Sequence, residues 1–247
     1  TRALLKRRVL SLSGVLHHPR AAKPKGGAVL CHGMESDKNS EKLIYLGRRL
    51  AEANVLTLRF DFAYGGESSG QFEDITYSGE VMDLKAAFSL MQDRCAGSTA
   101  IFGSSMGGTI GLLFAARESR VAALVTLAAP VHPENFPTRV LDAAQLQQWR
   151  DTGFIFYNGR RLNVSMLEDL QSLDVPQAAR AVQCPVLILH GDADEVVPVN
   201  EAYELHECLS GAKRLSILKG SDHRVSDPAL MQRALEESLD WLIDHLG

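Results

Sequence analysis

Short apolar runs alternate strictly with amphipathic segments along this chain, and that alternation limits the folds open to it more than any other feature. Runs at 28–31, 55–60, 99–102, 121–127, 186–189 and 214–218 have strand character, and segments at 41–53, 107–116, 200–209 and 228–246 have helix character. Between the second and third runs, Val81, Leu84, Phe88 and Met91 fall at i, i+3, i+7 and i+10, one stripe of a helix. Several runs, such as Val186-Leu187-Ile188-Leu189, are unbroken by polar residues. Such strands are expected where helices cover both faces of a parallel sheet. The pattern predicts a mostly parallel, doubly wound α/β sheet. Residues 8–16 are expected to add an antiparallel edge pair.

The rhythm fails once. Between 130 and 181 no strand is predicted, and aromatics gather at Phe136, Trp149, Phe154, Phe156 and Tyr157. A structureless loop of that length is uncommon in a compact domain. The segment at about 131–181 is therefore expected to be a small helical cap inserted over the sheet, within a single domain spanning residues 1–247.

Composition narrows the partners. With 26 Lys and Arg against 30 Asp and Glu, the formal net charge is −4, whereas a nucleic-acid partner normally demands a basic excess. At 45% hydrophobic and 23% charged residues the chain is neither disordered nor fibrous. Cys31, Cys95, Cys184 and Cys208 have no CxxC pairing, so neither structural zinc nor a disulfide framework is expected. The longest apolar stretch, 121–130, is half of the roughly 20 residues needed to span a bilayer. Arg2, Lys6, Arg7 and Arg8 are not followed by the apolar run of a signal peptide. A cytoplasmic protein is expected, and Asn163-Val164-Ser165 then carries no meaning as a glycosylation acceptor. No feature of the sequence sets an oligomeric state.

Gly103-Ser104-Ser105-Met106-Gly107 matches G-x-S-x-G. Alone the match is weak, but here a strand precedes it and a helix follows, the context the motif requires. A tight strand-to-helix turn lifts the serine hydroxyl clear of the sheet, and glycines on either side let neighbouring chain approach. A serine needs a base. Of the eight histidines, His206 and His245 fall in predicted helices and His17 and His18 at the far edge of the sheet. His223 follows the last strand directly, at the carboxyl edge where open α/β sheets bind ligands. The orienting carboxylate is expected in the loop after the strand at 186–189, where Asp192, Asp194 and Glu195 all compete. A metal site on Asp192 and Asp194 lacks the further ligands of a calcium loop, and no metal is expected. The chain order of serine, carboxylate and histidine is that of one of the three well-known serine hydrolase folds.

Taken with His32-Gly33-Met34, Arg59-Phe60-Asp61-Phe62, Gly66-Glu67-Ser68 and 190–198, these motifs resemble the α/β-hydrolase fold. The resemblance is to serine esterases, acylglycerol lipases and serine aminopeptidase-like members, above all the bacterial cinnamoyl/feruloyl esterase-like group. It implies H-G-x-x-D-x-x-V-P for the acid loop, which selects Asp194. It also implies that the backbone amides of Met34 and Met106 form an oxyanion hole. The chain departs from the usual F-D-x-R-G-H-G-x-S loop, with Ala63, Tyr64 and Gly65 at the Arg, Gly and His positions. Ser104 likewise stands where His is common.

Ser105, Asp194 and His223 are thus expected to hydrolyse a small-molecule ester through an acyl-enzyme, with no cofactor. Gly33, Phe136, Trp149, Phe154 and Phe156 are the candidate substrate contacts, pointing to aryl or short-to-medium acyl esters. Arg139, Arg150, Arg160 and Arg161 could instead meet an anionic substrate. The same triad would serve a thioesterase or an amidase/peptidase. A catalytically idle hydrolase fold acting as a binding protein is the alternative of a different class.

Overall fold

Burial on both faces of alternating side chains builds the central strands of the computed structural model, which describes residues 1–7, 10–20 and 23–246. In β3 (Gly26–Cys31), Val29 and Cys31 enter one apolar core while Ala28 and Leu30 enter a second core on the opposite face. The chain begins with β1 (Arg2–Arg7) and β2 (Leu10–His17), and after β3 come α1 (Glu41–Glu52), β4 (Val55–Phe60) and α2 (Tyr77–Arg94). Next are β5 (Thr99–Ser104), α3 (Met106–Ala115) and β6 (Val121–Leu127). The inserted segment holds α4 (Phe136–Val140), α5 (Ala143–Thr152), β7 (Phe154–Tyr157), β8 (Arg160–Asn163), α6 (Val164–Ser172) and α7 (Val175–Ala181). β9 (Val186–Gly191), α8 (Asn200–Cys208), β10 (Lys213–Leu218) and α9 (Pro228–Asp244) complete the chain.

The strands form one sheet in the order β1-β2-β4-β3-β5-β6-β9-β10. β1 and β2 pair antiparallel, β2 meets β4 antiparallel, and the pairs from β4 to β10 are parallel. The expected edge pair is therefore present and starts earlier, at Arg2; Arg8 and Val9 lie outside the described residues. α1 and α9 cover one face through Leu43, Leu46, Leu50, Leu235, Leu239 and Leu242. α2, α3 and α8 cover the other through residues such as Leu84, Phe88, Ile110 and Leu205. The strand order reverses between β3 and β5, so the loops after these two strands part at the carboxyl edge and leave a crevice.

The inserted segment corrects one expectation. It is not wholly helical: β7 and β8 form an antiparallel hairpin. Asn158 and Gly159 turn it with φ of 49° and 75°, the two positive values of a type I′ turn. The run Phe154-Ile155-Phe156-Tyr157 supplies strand formers, and the Asn-Gly pair after it was the missed signal. Leu162, Met166, Leu167, Leu170, Val175 and Ala179 are buried in the same core as α2 and α3, so the insertion continues the core and does not carry its own. No helix among the described residues is long and apolar enough to cross a membrane.

Charge pins the start of the insertion to α8. The buried Glu201 carboxylate accepts from the amides of Val131 at 2.7 Å and His132 at 3.0 Å and pairs with Arg139. The His132 ring lies between Glu134, at 2.9 Å from Nδ1, and Glu204, at 2.8 Å from Nε2. Partial burial opposes the charged ring, but the two carboxylates outweigh it and hold the His132 pKa above its ordinary value. A raised folded-state value adds stability that is complete below the ordinary histidine range and disappears as pH rises through the raised value. Stability should therefore fall by up to about 1 kcal/mol on going from pH 6 to pH 9 through this group. Urea unfolding of His132→Gln should lack that component of the slope. An unchanged pH slope in the variant would show that the cluster contributes nothing.

Candidate active site

Ser105 sits between the end of β5 and the start of α3 with φ 51° and ψ −124°, a strained conformation for a residue with a side chain. Two close backbone approaches make the turn feasible. A Cβ on Gly103 would lie 2.2 Å from the Gly107 carbonyl oxygen, and one on Gly107 would lie 2.5 Å from that of His32. Glycine at both positions lets α3 pack against the loop after β3, and the Ser105 amide donates to Leu127 O at 2.7 Å. Ser105 Oγ then stands 3.0 Å from His223 Nε2.

His223 lies in the loop between β10 and α9, and its Nδ1 is 2.8 Å from Asp194 Oδ2. Of the three competing carboxylates, only Asp194 reaches the ring. Glu195 is exposed, and the exposed Asp192 accepts from the Gly220 amide at 2.5 Å. The other oxygen of Asp194 accepts from the amides of Val196 and Val197 at 2.9 and 2.8 Å. The ring of His190, 1% exposed, places Nε2 at 3.3 Å from Asp194 Oδ2 and 2.9 Å from the Val197 carbonyl. Burial alone would push the Asp194 carboxyl up, but hydrogen bonds from His190, His223 and the Val197 amide prevail and hold it well below the usual carboxylate range. Asp194 is thus an acceptor-only anion at neutral pH, which fixes Nδ1 as the protonated nitrogen and leaves Nε2 free to accept from Ser105.

Across the crevice, the loop after β3 carries His32, Gly33 and Met34. A Cβ on Gly33 would come within 3.3 Å of Ser105 Cβ, so this loop passes directly over Ser105. His32 Nδ1 donates to Gly33 O at 2.8 Å, and Nε2 accepts from the Phe62 amide at 3.1 Å. Burial keeps the ring neutral by lowering its pKa, as that pair of bonds requires. Buried Asp61 ties the far end of the loop down. It accepts from the amides of Lys38 at 2.7 Å and Glu67 at 2.9 Å and pairs with the Lys38 ammonium, which also meets Glu67 at 2.8 Å. Ala63 N donates to Asp83 Oδ2 at 2.8 Å. Lys38 and Asp83 were not singled out from the sequence, and His190 entered there only as the first residue of the acid-loop motif; burial and hydrogen bonding reveal what the three do.

Residues 24–182 match the family described as alpha/beta hydrolase domain. The chain belongs to this family. It is similar to a mitochondrial palmitoyl-protein thioesterase, ABHD10, of Bos taurus, with 26% identity over 241 residues, covering 94% of this chain and 78% of the relative. Among solved structures it is similar to Est1E from Butyrivibrio proteoclasticus with ferulic acid bound, at TM-score 0.84 and 24% identity, covering 97% and 98% of the two chains. Mouse ABHD10 superimposes at TM-score 0.80 with 22% identity and full coverage of both chains. These structures share the hydrolase's fold.

A cavity of about 160 Å³ adjoins the crevice of this hydrolase, and both Met34 and Met106 line it. Among the aromatics expected to touch substrate, none lines this cavity. Trp149 is 1% exposed and packs in the hydrophobic core shared by the insertion and the sheet. An apolar aromatic on a short helix is as useful to a core as to a pocket, and here α5 spends it on the core. Phe136 packs edge-on against Tyr157, Phe154 packs against Phe156, and Phe156 is 65% exposed. The cap residue that does reach the cavity is Arg160 of β8, stacked 3.4 Å over the Phe72 ring. Among the described residues, no group of three or more His, Cys, Asp or Glu is placed to hold a metal ion.

The glycine contacts are open to direct measurement. Gly107→Ala should lower stability by about 1–3 kcal/mol through overpacking, which is about 2–12 °C in melting temperature for a chain of this size. Gly211→Ala, whose Cβ would meet nothing closer than 3.5 Å, serves as the control and should melt within a degree or two of wild type. Equal melting of the two variants in a thermal scan would contradict the close-approach account.

Proposed function

We propose that this hydrolase is a serine carboxylic ester hydrolase acting on aryl or short-to-medium acyl esters. The observation that carries the proposal is the continuous relay from Ser105 Oγ to His223 Nε2 at 3.0 Å and from His223 Nδ1 to Asp194 at 2.8 Å. Ser105 attacks the acyl carbonyl as His223 takes its proton, and Asp194 stabilises the imidazolium that forms. The developing oxyanion lies between the amides of Met34 and Met106, at the N-terminus of α3, where two preorganised donors and the helix dipole favour negative charge. His223 then protonates the leaving group, and water repeats the sequence to release the acid.

A thioester is the second reading, favoured by the 26% identity to a palmitoyl-protein thioesterase. The relay is the same for both, since the sulfur or oxygen leaving group departs on the His223 side. Removing Ser105 as Ser105→Ala should lower turnover of p-nitrophenyl and matched thioesters on the order of 10⁶-fold, as when a triad acts as a unit. Asp194→Asn should cost about 10⁴-fold by favouring the wrong tautomer. A fluorophosphonate probe should label wild type at Ser105 and leave Ser105→Ala unmodified. Full ester turnover by Ser105→Ala would eliminate the assignment, and a folded wild type that neither turns over nor labels would favour an idle binding protein.

A further inference from the structure

We propose that His190 is a positioning residue for the Ser105 relay: its Nε2–H is shared between the Val197 carbonyl and Asp194 Oδ2, so that one carboxylate oxygen serves two imidazole rings. This role rests on the ester and thioester hydrolase reading above and adds what sets the strength of the Asp194–His223 pair. His190 lies one residue from the end of β9, with β10 alongside, and its ring is 1% exposed. A ring so enclosed does not meet substrate, so its effect on the reaction passes through Asp194.

The tautomer of His190 follows from its neighbours. Nε2 stands 2.9 Å from Val197 O and 3.3 Å from Asp194 Oδ2, and a carbonyl and an ionised carboxylate can only accept. Nε2 therefore carries a proton and divides it between the two oxygens. Val197 is held twice, since its own amide donates to Asp194 Oδ1 at 2.8 Å. The ring, the Val197 peptide and the carboxylate thus close a circuit of polar contacts that fixes how the carboxylate is rotated. Oδ1 is turned to the amides of Val196 and Val197, and Oδ2 is turned to His223 Nδ1 at 2.8 Å. A histidine that served only Val197 O would need no carboxylate in reach. Here the second acceptor is the oxygen on which His223 depends.

Sharing has an electrostatic consequence. A donor from His190 draws negative charge on Oδ2 away from His223 and so weakens the stabilisation of the imidazolium. Removing the donor while keeping a ring should move the acid limb of the pH–rate profile, which reports protonation of the base, to higher pH. The other charged groups nearby are the same before and after such a substitution. They are Asp192 and Glu195 in the acid loop, Asp222 and Arg224 beside His223, and Lys42 of α1, whose ammonium is 3.3 Å from Ser104 Oγ. Arg139 of α4 adds a donor to Val196 O at 3.4 Å.

The experiment measures kcat and KM for p-nitrophenyl butyrate across the histidine pH range. It compares wild type with His190→Phe, which keeps a ring without the donor, and His190→Gln, which keeps an N–H. His190→Phe should lower kcat about tenfold to a hundredfold, the scale of a misplaced group near the reaction, with KM unchanged. Its acid limb should move up by about one pH unit, as expected for the loss of one hydrogen bond to a carboxylate. The His190→Gln midpoint should lie closer to wild type. Neither the midpoint nor KM depends on how much of a variant is folded. A His190→Phe midpoint equal to wild type, or a His190→Gln midpoint moved as far as that of His190→Phe, overturns the proposal while the hydrolase reading stands.

A second measurement leaves His190 in place. With isotopically labelled histidine, the Nε2–H proton of His190 should move upfield in the NMR spectrum when Asp194→Asn removes the charge of its acceptor, together with the Nδ1–H proton of His223. A His190 resonance that stays in place overturns the sharing. This reading requires no turnover. Absence of all ester and thioester hydrolysis by wild type overturns the hydrolase reading and the role in the relay, and the NMR spectrum still decides whether the carboxylate is shared.

Discussion

The reaction centre depends on one close approach, that of the Gly107 α-carbon to the carbonyl oxygen of His32, where a Cβ would have only 2.5 Å. Gly107 is in the first turn of α3 and His32 is the first residue beyond β3. Their contact sets the distance between the two loops that flank the strand-order reversal, and through it the spacing of the Met34 and Met106 amides. Side chains cannot fix such a spacing as tightly as backbone can. The strain at Ser105 is borne by the same construction, since the Ser105 amide is held by Leu127 O at 2.7 Å and its carbonyl accepts from Gly108 at 2.8 Å.

Around this frame the polar groups are buried, and burial of charge is costly unless partners compensate. Asp194 shows the balance: desolvation alone would favour its neutral form, yet four nitrogen atoms surround its two oxygens and the anion prevails. His32 solves the opposite problem by being neutral, with one nitrogen donating and one accepting. Asp61 and Lys38 solve it by pairing, and in doing so they join the loop after β3 to the loop after β4. The three solutions lie side by side, so the loop after β3 is fastened at His32, over Gly33 and again at Lys38.

Much of this was legible in the sequence for a physical reason. A strand buried on both faces must be apolar throughout, so β3, β5, β6 and β9 announce themselves as runs, and a nucleophile elbow must carry glycine where backbone meets backbone. The carboxylate was not legible from residue types, because Asp192, Asp194 and Glu195 are chemically equivalent until one sees that Asp192 is already engaged by the Gly220 amide. The cap was read least well. Its aromatics suggested a substrate wall, but Trp149 is enclosed in the core and the Phe154–Tyr157 run forms a strand of a hairpin. Hydrophobicity alone cannot distinguish a side chain that meets a ligand from one that meets its own protein.

The loop at 60–68 shows why an absent side chain is harder to read than a present one. Tyr64 adopts φ 73° at a position where related loops have glycine, a conformation costly for a bulky residue. The neighbouring structure adapts to it: Gly70 has φ +111°, and a Cβ there would lie 2.2 Å from the Tyr64 ring. The ring thus takes a place that only a glycine partner leaves free, while Ala63 and Gly65 on either side withdraw from theirs. Side-chain volume in the loop is redistributed: bulk gathers on Tyr64, and Ala63, Tyr64 and Gly65 all line the cavity beside Met34 and Met106. Asp61 accepts from both Lys38 and Glu67, and Ala63 is held by Asp83, so the backbone is fixed from both sides while its side chains differ from the common pattern. A scaffold that holds the main chain by buried carboxylates leaves the side chains of residues 63–65 free to set the shape of the site.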